Sequence, residues 1–211
     1  MHLQAFTFNP FQENTYVIWD DSLDCAIIDP GCYSTAEKFE LQQFIQNNRL
    51  NPVALWLTHA HLDHVFGVNF VHQTWHLSPQ LHPMEETIYN NAGTAGMMYG
   101  VPVEPLPNGH YVLSEDDTIT AGSLTFEVRF TPGHSPGSLC FIDHVSKTVI
   151  AGDVLFSGSI GRTDLPGGHY QTLIESIERE LLSLEDDYTV YSGHGPETTI
   201  GRERLGNPFL R

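Results

Sequence analysis

The chain has 211 residues, of which 40% are hydrophobic, 11% aromatic and 17% charged, and its formal net charge is −17. That length and apolar share can bury a sizeable core, and the lack of long like-charge runs excludes a disordered chain. The acidic balance argues against nucleic acid and anionic membranes as partners, because most of such a surface repels phosphate.

Leu3 to Phe8, Thr15 to Trp19 and Cys25 to Ile28 read as short strands, apolar or alternating, with Asp29-Pro30-Gly31 stopping the third. The spacing predicts a helix from about Ala36 to Leu50, with Phe39, Leu41, Phe44 and Ile45 on one side, ended by Asn51-Pro52. Val53 to Leu57 is a buried-type strand that runs into Thr58-His59. Pro83 to Gly100 reads as a helix fraying at Gly93 and Gly96. Leu113 to Ile119, Leu124 to Phe130, Ser138 to Asp143 and Thr148 to Ala151 read as strands, His169 to Leu182 as a helix and Tyr188 to Tyr191 as a strand.

No linker or compositional break divides the chain, so one domain over residues 1–211 is expected. Strands followed by helices, twice over, predict two sheets packed face to face with helices outside. Cys25, Cys32 and Cys140 form no CxxC pair and are odd in number, which points to a cytoplasmic protein without a disulfide framework. Met1 to Thr7 lacks the basic start and apolar run of a signal peptide, and no apolar stretch is long enough to span a bilayer.

The chemistry is concentrated in Thr58-His59-Ala60-His61-Leu62-Asp63-His64, where four potential metal ligands directly follow a strand. Alternate residues of an extended segment point the same way, so His59 and His61 can serve one metal. Asp63 and His64 lie past the bend and can serve a second. Imidazole and carboxylate suit Zn²⁺, Fe or Mn without a thiolate. A polar loop with Asp63 capping the next helix is the plain alternative, but capping uses one residue and not four.

Three later segments each place a potential ligand just past a strand end: Thr131-Pro132-Gly133-His134, Ala151-Gly152-Asp153 and Ser192-Gly193-His194-Gly195. Asp29 reads either as a turn carboxylate or as a group orienting a ligand histidine. His72 and His76 stand four apart on a predicted helix, where a solvated face is the better reading.

Together these motifs resemble the metallo-β-lactamase superfamily, and within it the glyoxalase II-like hydrolases. The match includes Ile27-Ile28-Asp29-Pro30-Gly31, the His-x-His-x-Asp-His segment, Thr-Pro-Gly-His, Gly-Asp and the late Gly-His-Gly. The resemblance implies an αββα sandwich of two mixed sheets and a dinuclear centre. One metal would take His59, His61 and His134. The other would take Asp63, His64 and His194, with Asp153 bridging and the two carboxylates, Asp63 and Asp153, serving catalysis as well. It implies two divalent ions, Zn²⁺ first and Fe or Mn next, activating water against a thioester or ester of a small molecule.

Arg162 follows in a Gly-rich loop, where it can hold a substrate carboxylate or form a salt bridge with Asp164 or Glu203. Only Gly195 to Arg211 follow the last ligand, so the chain resembles the short form without the C-terminal helical domain that helps bind glutathione. The alternatives are a persulfide dioxygenase with one iron on His59, His134 and Asp153, another ester or lactone hydrolase, and a metal-binding scaffold without turnover.

Overall fold

The computed structural model describes residues 1–210. β1 (His2–Phe8), β2 (Glu13–Trp19) and β3 (Asp24–Ile28) form an antiparallel run, and after α1 (Thr35–Asn47) β4 (Asn51–Trp56) joins β3 in parallel. α2 (Leu62–Val65), α3 (Val68–Trp75), β5 (Pro79–Leu81), a 3₁₀ turn (Pro83–Glu85), α4 (Glu86–Asn90), α5 (Ala92–Tyr99) and β6 (His110–Tyr111) complete the first half. Its sheet has the order β1-β2-β3-β4-β5-β6. The second half contains β7 (Thr118–Ala121), β8 (Leu124–Phe130), β9 (Leu139–Asp143) and β10 (Thr148–Gly152), then the hairpin β11 (Leu155–Phe156) and β12 (Ser159–Ile160). α6 (Tyr170–Ser176) runs on as a π-helical turn over Ile177–Leu181, followed by β13 (Thr189–Ser192), β14 (Thr198–Thr199) and α7 (Ile200–Gly206). The second sheet has the order β14-β13-β10-β9-β8-β7.

Alternation along the strands sorts neighbours into different layers. Ile18, Ala26, Ile28 and Trp56 pack between the sheets with Phe126, Val128, Phe141 and Ile150. Val17, Cys25, Ile27 and Leu55 belong instead to a layer with Leu41 and Ile45 of α1 and Val68 and Val71 of α3. Cys140, Ile142, Val149 and Val190 pack with Leu173, Ile177 and Ile200. The result is the expected αββα sandwich of two mixed sheets with outer helices. Among the described residues no helix is long and apolar enough to cross a membrane.

Several local expectations fail for identifiable reasons. Phe39 is 61% exposed, whereas Leu41 and Ile45 are buried and Phe44 packs at their edge. Two residues along a helix do not share a face, so Phe39 cannot join a stripe set by Leu41 and Ile45. α1 ends at Asn47, before the left-handed Arg49. The segment from Pro83 to Gly100 is three short pieces, and the break between α4 and α5 falls at Asn91, not at either glycine. Leu113 to Ile119 is not one strand: a turn with left-handed Asp116 separates β6 from β7. His169 is the N-cap of α6, accepting from Thr172 N–H.

The topology explains where function can sit. β3 and β4 are parallel. β8, β10 and β13 share a direction, because β9 lies antiparallel between β8 and β10 while β13 runs parallel to β10. Asp29, His59, His134, Asp153 and His194 all follow the C-terminal ends of these strands. The two sheets are tied there by Leu139 N–H donating to Thr58 O at 2.8 Å.

Candidate metal centre

All seven predicted ligands converge. His61 Nδ1 lies 2.8 Å from His134 Nε2, which lies 3.2 Å from His59 Nε2. In a second set, Asp63 Oδ2 is 3.1 Å from His194 Nε2 and 3.9 Å from His64 Nε2. Within each set the three candidate donor atoms lie within 4.8 Å of one another. Asp153 stands between the sets. Its Oδ1 is 3.4 Å from His64 Nε2, and its Oδ2 is 3.5 Å from both His134 Nε2 and His194 Nε2.

The outer partners assign which imidazole nitrogen faces inward. His64 Nδ1–H donates to Asp29 Oδ2 at 3.1 Å, His134 Nδ1–H to Arg162 O at 2.8 Å, and His194 Nδ1–H to Gln12 O at 3.1 Å. Thr58 donates its N–H and hydroxyl to Asp29 at 2.7 and 2.6 Å, so its hydroxyl oxygen accepts from His59 Nδ1–H at 3.0 Å. These four rings therefore present Nε2 lone pairs to the centre, while His61 presents Nδ1. Asp29 thus orients one ring directly and a second through Thr58, and is more than a turn residue.

Two buried atoms test whether metal ions fit. His64 Nε2 and Asp153 Oδ1 have no hydrogen-bond partner, although they face each other across 3.4 Å. Orphaned buried polar atoms are rare, and a lone pair aimed at a carboxylate oxygen needs a proton or cation beside it. The donor set of five imidazoles and two carboxylates suits divalent Zn, Fe or Mn. Burial pushes the thiols of Cys25, Cys32 and Cys140 up to about 12, which keeps them protonated and out of this chemistry. The site also dictates a glycine: a Cβ on Gly193 would meet Asp153 Oδ1 at 2.1 Å and His64 Cε1 at 2.8 Å.

The electrostatics differ between the sets. Burial and then neighbouring imidazoles hold His59 well below the usual histidine range and bring His61 down to about 3; burial also lowers His134. Burial acts to lower His64 and His194 too, but Asp153 and Asp63 outweigh it and raise both. Burial acts to raise Asp63 and Asp153, and the facing histidines overcome it and lower both.

The remaining predictions sort clearly. Asp63 lies inside the first turn of α2, whose N-cap is His61, so it is not the cap. Arg162 lines the cavity over the centre, with its guanidinium bidentate on Asp164 at 2.7 Å for both bonds. His72 Nδ1–H donates to Leu77 O at 2.8 Å and His76 is a left-handed C-cap, so they form no ligand pair. Sequence reasoning missed the supports. Asn9 Nδ2 donates to Asp63 O at 3.1 Å, Asn14 Nδ2 donates to Gly195 O at 2.8 Å, and Tyr16 OH donates to Ser192 O at 2.6 Å. It also missed two fully buried acids, Glu13 and Glu85. The polar triplet Glu13-Asn14-Thr15, opening an otherwise apolar strand, is the one signal that points to some of them.

Fold and site together define a metallo-hydrolase. Residues 8–194 match the Metallo-beta-lactamase superfamily, and the chain belongs to that family. It is 41% identical to the probable metallo-hydrolase YqgX of Bacillus subtilis over 212 residues, covering 100% of this chain and 98% of that one. It is 38% identical to the hydroxyacylglutathione hydrolase GloC of Haemophilus influenzae over 214 residues, covering 100% and 98%. Among solved structures, TTHA1623 in a di-iron-bound form superposes with a TM-score of 0.88 at 39% identity, covering 98% of this chain and 100% of that one.

Proposed function

We propose that this metallo-hydrolase is a glyoxalase II-like thioesterase with two divalent metal ions, zinc first, working in the cytoplasm. The observation that carries the reading is Asp153, whose carboxylate lies 3.4–3.5 Å from imidazoles of both three-residue donor sets, with Oδ2 equidistant from His134 of one and His194 of the other. Full-length similarity to a hydroxyacylglutathione hydrolase supports the thioester, and a di-iron relative supports the nuclearity. All three cysteines are free and buried, as a reducing compartment permits.

His59, His61 and His134 would hold one ion, Asp63, His64 and His194 the other, and Asp153 both. Bound ions of this kind lower the pKa of a coordinated water from about 15.7 towards about 7 and polarise a carbonyl. The chain supplies the rest. Asp63 and Asp153 offer carboxylate oxygens at the cavity wall, where they can orient the attacking water. The cavity, about 630 Å³, is a fitting size for a small-molecule acyl thioester. Phe11, Ile88, Tyr99 and Leu165 on its wall shield an acyl chain from bulk water.

Arg162 is proposed to anchor an acidic portion of the substrate. A substrate carboxylate would take the place of Asp164 in the same bidentate geometry, and this exchange is cheap because the pair is exposed. Arg162→Ala should then raise KM roughly ten- to a hundredfold for anionic thioesters and little for neutral ones. Equal changes for both substrates, with a lowered melting temperature, would assign Arg162 to holding its loop.

Metal analysis of protein purified without added metal, beside an anaerobic panel of thioesters, esters and lactones, tests the whole reading. Two ions per chain with thioester cleavage is the expected result. One iron with O₂ consumption would replace it by a persulfide dioxygenase, for which His59, His134 and Asp153 supply two imidazoles and a carboxylate. Bound metal without turnover of any substrate would leave a metal-binding scaffold.

A further inference from the structure

Glu85 is fully buried, ends a 3₁₀ turn, and has no cation partner among the described residues. Acidic side chains are almost never buried to this degree unless something pairs with them. The turn that aims it inward is locally built. Pro83 takes the first position, His82 caps by accepting from Met84 N–H, and the His82 ring stacks on Phe130 at 4.6 Å between centroids. What meets the carboxylate is a ring of donors. Ala60 N–H donates to Oε2 at 2.8 Å, while Ser135 hydroxyl and Gly137 N–H donate to Oε1 at 2.5 and 2.6 Å.

The positions of those donors give them meaning. Ala60 lies between His59 and His61, and Ser135 directly follows His134. One carboxylate therefore joins the two loops that carry all three imidazoles of one donor set. Gly137 fits this approach, since a Cβ there would meet Glu85 Cγ at 2.8 Å. The three imidazoles bring no negative charge of their own. The other set differs: Asp63 is one of its own donors, buried Asp29 and Glu13 lie against the His64 ring, and neutral amides of Asn9 and Asn14 tie its loops.

We propose that Glu85 is a positioning residue of the metal centre: its buried carboxylate clamps the His59–His61 loop to the His134 loop and thereby sets the affinity of that half for a divalent ion. This rests on the reading of the cluster as a metal centre. The clamp works by geometry, because imidazole donors separated by 75 residues in sequence must be held at 3.2 Å before an ion arrives. It also works by charge, because an acceptor-only group near the rings favours a cation among them.

Glu85→Gln tests it, since it keeps size and shape but turns one acceptor into a donor facing a donor. The probe is Co²⁺ alone, titrated into metal-free protein against a chelator, with the visible absorption recorded. The measurement is repeated on the His194→Ala background, which isolates the half carrying His59, His61 and His134. The expected result is a ten- to hundredfold weaker Co²⁺ affinity on that background, the scale of outer-partner changes, with an altered absorption band and less than a threefold change at the other half. Wild-type affinity and spectrum in Glu85→Gln would overturn the proposal. So would equal losses at both halves in step with a lowered melt of the metal-free protein, which would make Glu85 a fold residue only. If Glu85→Gln does not fold, Ser135→Ala removes one donor and leaves the carboxylate; a roughly threefold weakening confined to the same half supports the clamp, and no change overturns it. Wild-type protein that binds no Co²⁺ at all would instead remove the metal centre on which the clamp depends.

Discussion

The two halves of the candidate centre are built from different materials. The half made by His59, His61 and His134 is all imidazole, buried or nearly so, and its rings are held neutral. Its loops are joined by a buried acid that is not among the predicted ligands. The half made by Asp63, His64 and His194 contains its own carboxylate, pairs it with raised imidazoles, and leaves His194 partly exposed. The first is shaped for a cation before one arrives, because neutral rings offer lone pairs at neutral pH. In the second, Asp63 Oδ2 lies 3.1 Å from His194 Nε2, so a carboxylate of the set itself already faces one of its rings. The contrast teaches that two three-residue donor sets meeting at one carboxylate need not be built alike. Asp153 places its carboxylate within 3.5 Å of imidazoles of both.

The strongest way to break the comparison is to remove what the halves share. Asp153→Asn keeps the size but removes the charge offsetting two dications. It should lower activity more than about a hundredfold and empty at least one position, beyond the scale of outer-partner changes. Elemental analysis and turnover check this together, and near-wild-type turnover with both ions present would take Asp153 out of the centre.

A smaller effect comes from deleting one half at a time. His194→Ala should reduce bound metal from two ions to one per chain and leave the buried, neutral half loaded. His134→Ala should cost more, because it removes the ring lying against both His59 and His61 and facing Asp153. Chelator competition on both variants reads the difference. Equal metal loss in the two would mean that the halves fill as one unit.

The smallest expected effect sharpens the contrast in supports. Asn14 Nδ2 donates to Ser192 O at 3.1 Å and Gly195 O at 2.8 Å, flanking His194. Asn14→Ala removes both bonds, but Ser192 O keeps the Tyr16 hydroxyl and Gly195 is exposed, so the net cost should be about 1 kcal/mol per bond at most. The thermal melt should fall by a few degrees, and metal affinity should weaken in the His194 half only. An equal weakening in both halves would show that β2 supports the rim as a whole.

Much of this was legible along the chain because the signals are local. The His-x-His-x-Asp-His segment lies within six residues, and Gly, Pro or an apolar strand marks each later ligand. Strand identity followed from period-two patterning, which put Ile27 and Ile28 into opposite layers. Errors came where local rules compete. Phe39 looked like core because it is aromatic and near Leu41, but the helical period carries it to solvent. Pro83 to Gly100 reads as one helix fraying at its glycines, whereas Asn91 caps α4 and divides the segment. The sequence pattern starts the second strand at Thr15, whereas β2 begins two residues earlier, with the polar Glu13 and Asn14. In the fold both are buried, since they lie under the His194 loop and not under solvent.

The sequence by itself determined which side chains are candidate cation ligands and that strands and helices alternate in two halves. Those properties depend on residue type and on neighbours a few positions away. The tertiary structure decided the pairings: which oxygen of Asp153 meets which histidine, that Arg162 lies against Asp164 on the cavity wall, and that Glu85 joins loops anchored in different sheets. His59 and His134 stand 75 residues apart, and no local pattern relates them. Only the packing of one sheet on the other brings β4 and β8 to a common rim, where burial lowers His59, His61 and His134 and facing charges outweigh burial at Asp63, His64, Asp153 and His194.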